Sequence, residues 1–73
     1  MYRNLIAELA RKGIRRKQLA EALGIASGTL YYRLQGRTER DFTEPEKLYI
    51  CNMLGVEPTE EVYAYLFARY PAA

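Results

Sequence analysis

The chain has 73 residues, of which 49% are hydrophobic and 27% charged, which indicates one folded domain and argues against disorder. No run reaches the roughly 18 apolar residues of a membrane span, so no membrane partner is expected. The single cysteine and the lack of a signal peptide predict a reducing, cytoplasmic setting. The chain has no histidine, so a metal site or acid–base catalysis would lack its commonest ligand or base. No metal, cofactor or small-molecule ligand is expected.

The net charge of +2 is unevenly distributed along the chain. Residues 1–40 contain nine Lys or Arg and three Asp or Glu, a net charge of +6. Residues 41–73 contain two Lys or Arg and six Asp or Glu, a net charge of −4. This asymmetry is typical of a domain whose basic end meets a polyanion while its other end makes different contacts.

Three helices are predicted in the basic part. The first covers residues 2–12, where apolar side chains recur at the i, i+3, i+4, i+7 spacing of one helical face, and Gly13 supplies its left-handed stop. The second covers residues 16–23, although Arg15 stands where a Ser, Thr or Asp cap is expected. The uncapped amides fit either a bound phosphate or a solvated basic turn. The third helix covers residues 27–35.

Two further helices are predicted in the acidic part. The helix over residues 44–54 has the clearest start, because Thr43 and Glu46 have the spacing of a capping box. Phe42, the one large apolar residue of the preceding polar loop, is expected to lie under the helices. The last helix covers residues 58–69. No segment alternates in polarity for long enough to predict a strand, so the expected fold is all-α, a compact five-helix bundle in a single domain.

The most specific local pattern is the turn between the second and third helices. Ala20 is small enough to let the next helix cross closely, Gly24 permits a tight turn, and Leu30 returns to the same core. A small residue, a glycine four residues later and an aliphatic residue six further on are typical of a helix-turn-helix. A generic helical hairpin produces parts of the same pattern.

The turn lies in the stretch KQLAEALGIASGTLYYRLQGR, residues 17–37, which resembles the helix-turn-helix of the Cro/C1-type (XRE) family of bacterial and phage regulators. The resemblance continues through residues 36–37, 42–43 and 53–56, so it covers nearly the whole chain. It implies a lambda-repressor-like DNA-binding domain, encoded by a bacterium or phage and acting in the cytoplasm. It also implies a homodimer on double-stranded operator DNA.

The chain departs from the family pattern at the start of the third helix. Members often carry Ser followed by Arg or Lys, whereas this chain has Ala26, Ser27 and Gly28, so a long base-reaching cation is missing. The residues expected to contact bases are Ser27, Gly28, Thr29, Tyr31 and Tyr32. For the two tyrosines, the alternative is packing against the first helix or the loop.

Basic side chains around the helix-turn-helix are expected to contact phosphates, which supply affinity and register rather than sequence information. These candidates are Arg15, Arg16, Lys17, Arg33, Arg37 and Arg40. The alternative is that the loop cations are simply solvated.

The fourth and fifth helices carry more apolar surface than a short terminal segment needs for a core, which favours a protein partner. The residues expected at a dimer interface are Tyr49, Met53, Tyr63, Tyr65, Phe67 and Tyr70. The alternative is that these side chains complete the core of a monomer.

An enzyme is not expected, because Cys51 has no activating base and the carboxylates cluster near helix starts, where they favour the helix dipole. The sequence therefore predicts a sequence-specific DNA-binding transcriptional regulator, a prophage-type repressor that reads its operator through residues 27–35. The alternative is a protein-interaction module that keeps the fold and no longer reads DNA. The missing cation favours this alternative, and the basic first half of the chain favours DNA.

Overall fold

The computed structural model describes residues 1–37 and 40–71, so residues 38 and 39 of the predicted loop and the last two residues lie outside it. Within these ranges the chain forms five α-helices and no strand, which confirms the expected all-α fold. The helices are α1 (Arg3–Arg11), α2 (Arg16–Leu23), α3 (Ser27–Leu34), α4 (Glu44–Leu54) and α5 (Glu60–Leu66). The Cα radius of gyration is 11.2 Å, and about 11 Å is expected for a folded chain of this length.

The five helices share one core, in which α2 packs against α3 and α4 while α1 packs against α5. Burial of apolar side chains in this core is the main stabilising contribution, about 25 cal/mol for each Å² removed from water. The predicted burial of Phe42 is confirmed, and its ring meets Tyr2 edge-on with the ring centroids 5.2 Å apart. The buried apolar residues are Tyr2, Leu5, Leu9, Leu19, Ala20, Leu30, Leu34, Phe42, Ile50, Cys51, Leu54, Leu66 and Phe67.

The starts of α4 and α2 are held by side chains in different ways. At α4 the predicted capping box is confirmed: the Thr43 hydroxyl accepts from the Glu46 N–H at 3.3 Å, and the Glu46 carboxylate accepts from the Thr43 N–H at 2.8 Å. At α2 the sequence offers no Ser, Thr or Asp before the helix. Instead the side-chain oxygen of Gln18 accepts a hydrogen bond from the Arg15 N–H at 2.8 Å. This bond fixes the entry into α2 but leaves the first helical amides open.

The predicted span of the last helix, residues 58–69, was too long at both ends. The Thr59 hydroxyl accepts a hydrogen bond from the Val62 N–H at 3.1 Å, so the helix starts after this cap, at Glu60. It ends at Leu66 because Phe67 leaves helical geometry, with φ −103°. The first and third predicted helices were also slightly long, since α1 lacks the outermost residue at each end and α3 lacks its last residue.

The two ends of the described chain meet beside the end of α3. The N–H of Tyr70 donates to the carbonyl of Met1 at 2.8 Å, and the N–H of Tyr2 donates to the carbonyl of Leu34 at 2.9 Å. Gly36 lies against this junction with φ +72°, and a Cβ on it would stand 2.6 Å from the Met1 nitrogen. A glycine is therefore required here for both its backbone geometry and its lack of a side chain.

Candidate nucleic-acid interface

The turn between α2 and α3 has the geometry of a helix-turn-helix. Gly24 ends α2 in the left-handed conformation, with φ 70° and ψ 29°, and the following Ile25 N–H donates back to the Ala20 carbonyl at 3.0 Å. Ala20 and Leu30 are both buried between the two helices. The glycine thus makes the predicted turn, the small and the aliphatic residue are buried as predicted, and α3 packs against α2.

The outer face of α3 is open. Gly28 and Thr29 are exposed, and Tyr32 retains 50% of its accessible surface. A Cβ added at Gly28 would meet nothing within 4 Å, so its backbone is accessible to a large partner. This face therefore offers hydroxyl groups and an aromatic ring but no charge, and Ser27 lies partly buried at its edge.

A cation from α2 lies beside the start of α3. The Arg16 guanidinium stands 4.9 Å from the centre of the Tyr31 ring, and its Nε approaches the Ser27 hydroxyl at 3.4 Å. Arg16 thus occupies the neighbourhood where α3 itself lacks a long cation. Sequence reasoning placed Arg16 among the phosphate contacts and missed this position, because Arg16 and Ser27 are eleven residues apart and their pairing depends on the angle between two helices.

Tyr31 and Tyr32 differ in environment although they are adjacent in sequence. The Tyr31 ring is partly buried under Arg16, whereas Tyr32 points outward, and the two rings meet edge-on with centroids 5.6 Å apart. The alternative of packing against the first helix therefore fits Tyr31 in part, because its ring shares a groove with side chains of α1.

The prediction that Arg33 contacts phosphate was wrong. Only 6% of this residue is exposed, and its Nη1 pairs with the Glu46 carboxylate at 3.0 Å while the guanidinium faces the Phe42 ring at 5.3 Å. A buried, paired guanidinium cannot reach a phosphate without breaking its ion pair with Glu46. A helical wheel drawn from sequence leaves Arg33 beside the inward leucines, which is the signal that could have indicated burial.

The remaining phosphate candidates lie around the exposed face of α3. Arg15 and Lys17 are exposed at the start of α2, and Arg37 and Arg40 are exposed after the end of α3. Arg15, Lys17 and Arg37 make no ion pair with another residue of the described ranges. Both ends of the helix-turn-helix therefore present positive charge at the edges of an uncharged face.

Hydrogen bonds to one carboxylate hold the residues just before α4. The Tyr2 hydroxyl donates to the Asp41 carboxylate, which also accepts from the Phe42 N–H at 2.8 Å. Burial, together with the adjacent carboxylate, raises the pKa of Tyr2. Burial alone would raise the pKa of Asp41, but the two hydrogen bonds outweigh it and lower that pKa. These contacts fix the approach to α4, and the sequence pattern did not reveal them.

The dimer candidates do not form one surface. Phe67 was wrongly assigned to an interface, because it is only 9% exposed and packs between Phe42 and Tyr63 with ring centroids 5.9 and 5.6 Å away. Tyr63 is partly buried against it. Tyr70 lies against α1, where its hydroxyl accepts from the Asn4 side chain at 3.2 Å.

The outward face of α4 is the more continuous apolar surface. Tyr49 is 48% exposed, Leu48 beside it is nearly as exposed, and Met53 is partly buried one turn later. The charged residues within this part of the helix turn inward, since Glu46 pairs with Arg33 and the Lys47 ammonium lies 5.5 Å from the Phe67 ring. The outward apolar strip is limited to Leu48, Tyr49 and Met53, because Glu44 and Asn52, one turn before and one turn after Leu48, are exposed.

No helix in the described part of the chain is long and apolar enough to cross a membrane. The described residues also contain no group of three or more His, Cys, Asp or Glu side chains that could hold a metal ion. No family model, curated protein or solved structure matches the chain.

Proposed function

We propose that this protein is a sequence-specific DNA-binding transcriptional regulator of the type that its helix-turn-helix resembles, acting in the cytoplasm. The observation that carries the proposal is the open outer face of α3, together with the exposed cations at the start of α2 and after the end of α3. An α-helix of this kind fits the major groove of B-DNA, and cations at its two ends then meet the phosphates on either side.

In this proposal the groups that face bases are the hydroxyls of Thr29 and Ser27 and the ring of Tyr32. A hydroxyl can pair with several base edges, and an aromatic ring can contact a thymine methyl group. Gly28 lets the backbone approach the groove closely. Arg16 stands beside these residues, so it is the cation best placed to add a base contact at the start of α3.

Electrophoretic mobility shift with a random pool of duplexes tests the proposal directly. At low salt the protein should bind the duplexes and slow their migration. Repeated selection of bound duplexes at moderate salt should enrich a sequence with two related half-sites. An absence of binding at low salt would refute the proposal. Binding without enrichment of any sequence would leave a non-specific DNA-binding protein and contradict base reading by α3.

A protein-interaction module on the same fold is the second candidate. The lack of any charged side chain on the outer face of α3 favours it, because most groove-reading helices carry a long polar or basic side chain. The mobility shift separates the two functions, since such a module would bind no DNA at low salt.

Replacing Arg37 with methionine should flatten the salt dependence of DNA binding. If each subunit of a dimer neutralises about four phosphates, log affinity falls against log salt with a slope near −7, and loss of one phosphate contact per subunit changes that slope by about 2. The control is Arg3→Met, which removes an exposed cation that stacks on Tyr70 at 5.1 Å. If the salt dependence of the Arg37→Met protein is unchanged, Arg37 does not contact a phosphate.

We further propose that the protein binds DNA as a homodimer that forms through the outward strip of α4, around Leu48 and Tyr49. Two copies of an uncharged apolar strip can pack on each other about a two-fold axis. This arrangement would set two α3 helices along one face of the duplex.

Tyr49→Lys should convert the dimer to a monomer, because each copy would bury an unpaired ammonium at the interface. Sedimentation at micromolar concentration measures the change. The matched control is Tyr65→Lys, since Tyr65 is 49% exposed but lies on α5. If the Tyr49→Lys protein remains a dimer and the Tyr65→Lys protein is a monomer, the dimer interface lies on α5 and not on α4. A native protein that is a monomer both free and on DNA would exclude the dimer.

A further inference from the structure

A groove of about 240 Å³ opens between α1 and α3, directly behind the candidate nucleic-acid interface. Apolar side chains form its floor: Ile6, Leu9, Ile14 and Leu34. Three polar or amphipathic side chains, Arg16, Tyr31 and Gln35, stand at its edge. The groove therefore combines an apolar interior with one positive charge, and two of its residues also belong to the interface on α2 and α3.

The guanidinium of Arg16, which lines the groove, has no anionic partner among the described residues. Its contacts are the Tyr31 ring at 4.9 Å and the Ser27 hydroxyl at 3.4 Å, a long distance for a hydrogen bond. Arg16 makes no ion pair with another described residue, and none of the described residues that line the groove is acidic. A carboxylate at the mouth of the groove would complement this guanidinium.

We propose that this groove binds a small monocarboxylate with an apolar body. The apolar body would contact Ile6 and Ile14, and the carboxylate would accept hydrogen bonds from Arg16. A dry cavity of about 150 Å³ holds benzene, so 240 Å³ accommodates about ten heavy atoms. Alkyl or aryl-alkyl carboxylates have this size and combine the two chemical features.

Occupancy of the groove would oppose DNA binding, and this consequence rests on the proposed function. A bound carboxylate neutralises Arg16 and draws it from Ser27, so the start of α3 loses the nearest cation. Arg16 cannot pair with a carboxylate and approach a base or phosphate with the same guanidinium hydrogens. The ligand and the operator would therefore compete, and each would weaken the binding of the other by the same factor.

Titration with octanoate at constant ionic strength tests the site, with methyl chemical shifts in NMR spectra as the readout. Saturable shifts should centre on Ile6, Ile14 and Leu34, with a dissociation constant of about 1 mM, as expected for about ten heavy atoms. Octanol and octylamine, which share the alkyl chain but lack the carboxylate, should bind at least about tenfold more weakly. Equal affinity for the three compounds, or shifts centred elsewhere, would overturn the proposal.

Two alanine positions on α1 provide matched variants. Ala10 lines the groove, so Ala10→Leu should fill it and abolish octanoate binding while Arg16 remains in place. Ala7 is exposed on the same helix and does not line the groove, so Ala7→Leu should bind octanoate normally. Arg16→Gln should weaken octanoate binding at least about tenfold, because a charge-assisted hydrogen bond is lost. Normal octanoate binding by Ala10→Leu would also overturn the proposal.

The DNA arm of the experiment separates the two proposals. Octanoate should release DNA from the native protein and from Ala7→Leu, and it should have no effect on the Ala10→Leu complex. If octanoate binds at the groove but the protein retains no DNA, the proposed function fails and the ligand site stands. If DNA is retained and octanoate does not bind, the ligand site fails and the proposed function stands.

Discussion

Replacing Arg33 with methionine should lower the free energy of unfolding by about 2–4 kcal/mol. The substitution leaves the partly buried Glu46 carboxylate without its 3.0 Å partner and removes the guanidinium from the Phe42 ring, where it stands at 5.3 Å. For a domain of this size the loss corresponds to a fall in Tm of about 13–26 °C. Thermal unfolding followed by circular dichroism measures it.

The control is Arg37→Met, which removes an exposed cation from the adjoining loop and should change the stability by no more than about 0.5 kcal/mol. The sequence predicted the same role, a phosphate contact, for both arginines. We expect Arg33→Met to change the stability, and Arg37→Met to change only the salt dependence of DNA binding that we propose. If Arg33→Met left the stability unchanged and flattened the salt dependence of DNA affinity, Arg33 would contact phosphate after all. That result would contradict the buried ion pair.

The same ion pair predicts how stability depends on pH. Burial alone would raise the pKa of Glu46, but the hydrogen bonds from the Thr43 N–H and the Arg33 side chain outweigh it and lower the pKa. A carboxyl with a lowered folded pKa stabilises the protein above its unfolded pKa, about 4.3, and loses this effect as the pH falls through the folded value. The stability difference between the native protein and Arg33→Met should therefore narrow below about pH 4.

Replacing Gly28 with glutamate should raise stability while reducing DNA affinity at least about 100-fold. A glycine within a helix costs about 1 kcal/mol relative to a better helix former, and an acidic residue in the first turn favours the helix dipole. The Cβ at this position meets nothing within 4 Å, so packing does not oppose the gain. On DNA, each subunit would place a carboxylate against a polyanion, and like-charge contacts cost several kcal/mol.

Gly28→Lys is the matched control, because it has a similar helix propensity and the opposite charge. It should retain DNA, although a longer side chain at this position will alter the preferred sequence. Mobility shift and thermal unfolding of the two variants give both quantities. If Gly28→Glu binds the selected operator as well as the native protein does, the outer face of α3 does not lie in the groove.

The parts of the fold that sequence predicts well depend on local chemistry. Thr43 and Glu46 are three residues apart, and their capping box is a property of one helical turn. The turn at Gly24 likewise follows from a backbone conformation that glycine adopts without strain. The predicted end of α5 was too late because Phe67 leaves helical geometry, and Tyr70 donates its N–H to the Met1 carbonyl instead of continuing the helix. No local pattern encodes such a distant contact.

Fewer features of the candidate site were predicted correctly, because several of them also depend on contacts between residues that are distant in sequence. The outward position of Gly28 and Tyr32 follows from helical periodicity and agrees with their exposure. The positions of Arg16 and Arg33 depend on how neighbouring helices cross. Arg33 pairs with Glu46 across thirteen residues of sequence, and Arg16 meets Ser27 across eleven. A long cation near a helix-turn-helix is easily taken for a phosphate contact when its tertiary partner is unknown.

The ion pair between Arg33 and Glu46 also joins two helices with separate proposed tasks. Arg33 projects from the inner side of α3, and the outer side of that helix would contact the bases. Glu46 lies in the first turn of α4, and the outer side of that helix would form the dimer interface. The distance between operator half-sites would then be set inside each monomer, by a contact that touches neither DNA nor the second subunit. Changes at this contact would alter half-site spacing and leave the recognised bases unchanged.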